Sequence, residues 1–258
     1  MALDGFREEV FTFDGKARTV YRRGVGPGVV VMHEIPGLHP GVIAFAERLV
    51  DAGFSVALPL MFGVPGKPVS RGYILEQVAH VCMSREFRVL AARRSSPITD
   101  WIRAYCRSFH EELGGKGIGA IGMCLTGNFA LALMVDEAVM APVLSQPSLP
   151  FAIGKTLGGG LHISDEDLAA AKSRDVPVLG LRFTEDRACP VERFDRLRAE
   201  FGSRFEAIEI DSSRGNAFGI SPDAHSVLTI DLVDQDGHPT KKALDRTIAF
   251  FRERLTSL

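Results

Sequence analysis

One cysteine stands where a nucleophile would be held. In Lys116 to Val135, KGIGAIGMCLTGNFALALMV, a short apolar run (Ile118 to Ile121) meets Gly122-Met123-Cys124-Leu125-Thr126-Gly127. An apolar stretch rich in small residues follows at once. The pattern predicts a strand, a sharp turn and a helix, with Cys124 at the apex. A strained turn of this kind lifts a nucleophile above the sheet and leaves room only for small residues two positions either side. Gly122 fits the upstream place; Thr126, downstream, is larger than the usual glycine. The competing reading is a buried structural thiol, because free cysteine is among the most buried residues.

Two further residues complete a chemistry. Asp186 follows the apolar run Val176 to Phe183, and His225 follows the loop after Phe205 to Ile210. In a parallel sheet all three residues would gather at the carboxyl edge, where ligands bind. A free thiol titrates near pH 8.5 and is mostly protonated at neutrality. A paired imidazole can take its proton, and a carboxylate can hold that imidazole in the right tautomer. Each member also has a plain structural reading: His225 as an ordinary hydrogen-bonding side chain, Asp186 as the cap of the next helix. Glu185 is the immediate rival for the acid. Two other motifs fail. Gly117 to Gly122 has the letters of G-x-G-x-x-G, but the strand lies inside it rather than before it, so no dinucleotide site is expected. His33-Glu34 lacks the second histidine of a zinc helix motif.

The elements that must position these residues alternate along the chain. Glu8 to Phe13 and Arg18 to Arg22 flank Asp14-Gly15, a hairpin signal. Val29 to Met32 reads as a strand buried on both faces. A helix is expected from Pro40 to about Ala52, a strand over Phe54 to Leu58, and a helix from Pro97 through Leu113. Strands at Ala138 to Leu144, Val176 to Phe183 and Phe205 to Ile210 alternate with helices opening at Ser164, Pro190 and Pro239. Arg71 to Arg94 reads as partly helical, and Ser145 to Gly160 as a long loop. The expected fold is α/β: a mostly parallel central sheet flanked by helices, with an N-terminal antiparallel hairpin. The 258 residues suit one domain, 1–258. A net charge of −2 gives no electrostatic case for nucleic acid or an anionic membrane. No apolar run approaches the roughly 18 residues that span a bilayer, and no signal peptide is evident. Four cysteines without a C-x-x-C pair suit a reducing cytoplasm.

These residues resemble the dienelactone hydrolase family of α/β-hydrolases over nearly the whole chain. Gly122-Met-Cys124-Leu-Thr-Gly127 resembles the family's G-x-C-L-G-G elbow. Glu34, in His33-Glu34-Ile35-Pro36-Gly37, matches the acid that the family places after its third strand. Asp186-Arg-Ala-Cys-Pro190 is similar to its D-x-x-V-P segment, and Ala224-His225-Ser226 to its G-H-S segment. The resemblance implies a Cys124–His225–Asp186 triad that opens an ester or lactone through a thioester, with neither metal nor organic cofactor. It implies that Glu34 helps switch the cysteine between thiol and thiolate. The alternative is a structural acid paired with an arginine near Arg85, itself a candidate substrate anchor. Family members of the chloroaromatic pathway use an arginine four residues after the triad histidine to hold a substrate carboxylate; here that position is Thr229. The oxyanion hole is expected from the backbone N–H groups of Leu125 and Ile35, since Pro36 has none to give. The expectation is a cytoplasmic hydrolase acting on a small-molecule ester or lactone. The alternatives are a redox-sensing or non-catalytic protein of the same fold, and a thiol-dependent acyltransferase.

Overall fold

A computed structural model describes residues 3–83, 97–148, 159–161 and 163–256, the side chain of Cys82 excepted. Strands β1 (Arg7–Phe13) and β2 (Lys16–Arg23) form a hairpin across Asp14-Gly15, both of which have positive φ. Then follow β3 (Gly28–Met32), β4 (Ser55–Pro59), β5 (Ile118–Met123), β6 (Val139–Ser145), β7 (Val178–Phe183) and β8 (Phe205–Ile210). They lie in one sheet in the order β1-β2-β4-β3-β5-β6-β7-β8. Pairing is antiparallel from β1 through β2 to β4 and parallel from β4 onward. The hairpin and mostly parallel sheet expected from the sequence are therefore present. β3 and β5 are neighbours, with Met32 opposite Gly122, so the loop after β3 starts beside the turn after β5.

The period-2 alternation of the strands feeds two apolar layers. Val30, Met32, Ile118 and Ala120 face one layer with α3 (Pro97–Leu113), α4 (Gly127–Leu133) and α6 (Val191–Phe201). Val29, Val31, Ile121 and Met123 face the other with α1 (Pro40–Asp51) and α7 (Pro239–Leu255). Residues one apart on a strand must point to opposite faces, so a sheet covered on both sides requires runs that are apolar throughout. α3 shows how a helix is fastened: Trp101, Tyr105 and Phe109, four residues apart, stack in succession at 5.8 and 5.7 Å, and Phe11 of β1 meets the first two edge-on. Burying each such ring contributes about 2–3 kcal/mol. α1 and α7 each start on a proline behind a histidine cap, where a missing N–H costs nothing. Among the described residues, α2 (Arg71–Met83) and α5 (Asp165–Ser173) complete the helices, and none is long and apolar enough to cross a membrane.

Candidate active site

β5 runs directly into Cys124, whose φ of +54° is uncommon for a residue with a side chain. The turn is that tight because Gly122 lies against the next turn of chain: a Cβ there would come within 2.0 Å of the Thr126 carbonyl oxygen. Thr126, oversized by the sequence argument, is fully buried and used. Its hydroxyl accepts from Met123 N–H (2.9 Å) and faces the Met32 carbonyl at 2.9 Å, tying the turn to the end of β3. Leu125 is the second residue of the single helical turn Cys124–Thr126, so its N–H stands at the positive end, where a developing oxyanion is favoured. Ile35, in the adjoining loop, packs with Cys124 against the same apolar layer.

The acid and histidine loops converge on the same edge. Thr184 N–H donates to the Ile210 carbonyl (2.9 Å), and Glu185 N–H donates to Ser212 Oγ (3.0 Å), which stitches the exits of β7 and β8 together. This leaves Glu185 exposed and Asp186 buried. Asp186 Oδ1 accepts from Ala188 N–H (2.9 Å), and Oδ2 lies 2.7 Å from His225 Nδ1. With Nδ1 donating to Asp186, Nε2 is the nitrogen left for the Cys124 sulfur, whose charge acts on the ring. Burial alone would lower the imidazole pKa. Attraction to the Cys124 sulfur and the Asp186 hydrogen bond outweigh it and hold the imidazole well above its ordinary value. The His225 side chain keeps 27% of its surface exposed, so the ring can be reached from solvent. Asp231, which the sequence reading did not single out, accepts from both His225 N–H (2.9 Å) and Ser226 N–H (2.8 Å), fixing the histidine's backbone.

Glu34 is buried, and four side chains meet its carboxylate. His39 Nε2 donates at 3.1 Å and Thr229 Oγ1 donates to the same oxygen; Ser226 Oγ (2.8 Å) and Gln146 Nε2 (3.1 Å) donate to the other. Burial pushes the carboxyl pKa up, but the His39 and Thr229 hydrogen bonds and the nearby His225 bring it below its ordinary value. Hydrogen bonds to a charged group are worth about 1.5–3 kcal/mol each, enough together to offset a desolvation cost of several kcal/mol. Among the described residues, no arginine belongs to this set. Arg85, the candidate anchor, lies outside the described residues. His39 is both the cap of α1 and a hydrogen-bond partner of Glu34.

A family model for dienelactone hydrolases matches residues 16–255. The chain belongs to the dienelactone hydrolase family. Solved structures agree in fold. A protein assigned as a dienelactone hydrolase from Klebsiella pneumoniae is 19% identical, with 96% of this chain and 98% of that one covered and a TM-score of 0.62. A cold-adapted esterase from an Arctic intertidal metagenomic library is 17% identical, with 97% and 94% covered and a TM-score of 0.61. A dienelactone hydrolase-like promiscuous phosphotriesterase from metagenomic libraries is 16% identical, with 97% and 98% covered and a TM-score of 0.60. No curated protein matches by sequence. The fold is thus the α/β-hydrolase fold, and family membership makes the chain a hydrolase acting on esters.

In this dienelactone hydrolase-family chain the loop after β3 is anchored from below by His33. Its Nδ1 donates to the Glu34 carbonyl (3.1 Å), its Nε2 accepts from Met61 N–H (3.1 Å), and Phe62 meets the ring edge-on at 4.5 Å. The ring must therefore be neutral, and burial lowers its pKa to about 4 from 6.5. An unfolded chain binds the proton between those values while the folded one does not. The contribution of His33 to stability is thus complete above pH 6.5 and lost as pH falls toward 4, by roughly 3 kcal/mol. Glu34 acts in the same direction in a lower window, below its ordinary carboxyl value. Urea midpoints measured from pH 7 to pH 4 are expected to fall for the wild type and to fall distinctly less for His33→Gln. Equal slopes would refute this assignment.

Proposed function

We propose that this protein hydrolyses a small carboxylic ester or lactone through a thioester on Cys124. The observation that carries the reading is the His225 imidazole, held at 2.7 Å by Asp186 on one nitrogen and drawn toward its charged form by the Cys124 sulfur. The sulfur, its proton passed to His225, attacks the carbonyl carbon, and the resulting oxyanion is received by the N–H groups of Leu125 and Ile35. Such donors lower the barrier by about 3–4 kcal/mol each in acyl transfer. Collapse breaks the ester C–O bond while His225 returns the proton to the leaving oxygen. Water then attacks the thioester carbonyl with His225 as base, releasing the acid and restoring the thiol. No metal or organic cofactor enters this scheme, and the free thiols Cys106, Cys124 and Cys189 suit a cytoplasmic setting.

The identity of residue 229 narrows the substrate. Where the resemblance expects an arginine, Thr229 is buried and its hydroxyl is spent on Glu34. A hydroxyl cannot replace a bidentate guanidinium–carboxylate contact. Loss of a charge-assisted hydrogen bond costs about 1.5–3 kcal/mol, or roughly ten- to a hundredfold in rate. A neutral small ester is therefore expected to give the higher kcat/KM when compared with a carboxylated dienelactone. A strong preference for the carboxylated lactone would mean that another cation anchors it. The activity itself is tested by assaying hydrolysis of a neutral ester before and after one equivalent of iodoacetamide. The reading requires turnover that disappears in proportion to the thiol alkylated.

A further inference from the structure

We propose that Ser148 is a further catalytic residue, whose hydroxyl hydrogen-bonds the Cys124 sulfur and stabilises its anionic form. The proposal rests on the reading of Cys124 as the nucleophile. Ser148 Oγ lies 3.0 Å from Cys124 Sγ, and Ser148 N–H donates to the Cys124 carbonyl at 2.9 Å, so the residue grips the elbow cysteine at both ends. Ser148 is 3% exposed; a hydroxyl so buried needs an acceptor inside the protein, and among the described residues the sulfur is the one it meets.

The segment that carries Ser148 is fixed from several sides. Gln146, at the exit of β6, has a φ of +33°, and its N–H donates to the Leu181 carbonyl at 2.7 Å. Its side chain bridges Glu34 and the N–H of Val227. Pro147 lies on the elbow helix so closely that a Cβ on Gly127 would come within 2.6 Å of its Cα. Its carbonyl accepts from Nη1 of the fully buried Arg193, which also holds the carbonyls of Ala188 and Gly160 at 3.2 and 3.1 Å. A hydroxyl held by a strained turn, a direct backbone contact and a buried guanidinium is pre-organised toward the sulfur.

A hydroxyl donor is shorter and stronger against a thiolate than against a neutral thiol, so it raises the thiolate fraction at a given pH. It also lowers the intrinsic nucleophilicity of that thiolate, with a Brønsted slope of about 0.4–0.5. These opposing effects give a signature that loosened packing cannot produce. In Ser148→Ala, the midpoint of the pH profile for iodoacetamide alkylation of Cys124 is expected to rise by about one pH unit. The alkylation rate falls roughly threefold below the midpoint and rises roughly threefold on the high-pH plateau, so the two profiles cross. Ser148→Thr, which keeps the hydroxyl, is expected to retain the wild-type midpoint, and Ser148→Gly serves where the alanine variant does not fold. Profiles that coincide, or that differ by one factor at every pH, overturn the role of Ser148. If the wild type instead forms no acyl adduct on Cys124 with an activated ester, it is the nucleophile assignment that fails.

Discussion

Replacing Cys124 with alanine is expected to lower ester hydrolysis by about 10⁴- to 10⁶-fold in kcat, leaving only what the oxyanion donors and substrate binding supply. The other thiols provide the contrast. Cys106 and Cys189 are both fully buried. Burial pushes the Cys189 thiol up to about 12, and raises that of Cys106 above its ordinary range as well. Neither can supply a thiolate near neutrality, so Cys106→Ala and Cys189→Ala are expected to keep near-wild-type kcat/KM while losing some stability from the shortened core side chain. Cys82→Ala, on α2, is expected to join these controls. Purified variants assayed against one neutral ester decide the matter. Turnover of Cys124→Ala comparable to wild type would remove the thiol from the mechanism.

The second large effect concerns the acid. Asp186→Asn is expected to cost up to about 10⁴-fold in kcat, because an amide in place of the carboxylate can hold the imidazole in the wrong tautomer. Glu185→Gln is expected to stay within a few-fold of wild type. The two neighbours differ by the pairing of the β7 and β8 exits: Ser212 binds the Glu185 backbone, and Asp186 alone turns inward to His225. Parallel kinetics on both variants test this, and greater damage from the Glu185 change would reverse the assignment.

Much of this arrangement was legible because it is local. The run Ile118 to Ile121, the glycine at 122 and the small residues after Thr126 announce a strand, a turn and a helix within a dozen positions. The alternation of apolar runs with helical patterns likewise announces a parallel sheet, and hence a shared edge for Cys124, Asp186 and His225. The Glu34 set was not legible, for a physical reason. Its donors come from three loops, as much as 195 residues away in sequence, and nothing in a serine or threonine announces which buried carboxylate it will meet. Gln146 was hidden in another way: glutamine is not a turn residue by propensity, so its left-handed backbone reflects tertiary fastening rather than a local preference. Ser148 lay in what reads as a long loop rich in proline and glycine, and its meeting with Cys124 depends on that same strained exit from β6. Thr126 was visible as an anomaly in the elbow, and the structure supplies its reason in the tie to Met32.

The mechanism requires a covalent intermediate on one particular sulfur, that of Cys124. The most direct measurement is acid-quenching the protein during turnover of an activated neutral ester, followed by intact mass and peptide mapping. The result predicted here is up to one acyl group per chain, located on the peptide that carries Cys124 and absent from Cys124→Ala. Steady turnover with the acyl group on another residue, or with none on the protein at saturating substrate under conditions where deacylation is rate-limiting, would contradict it.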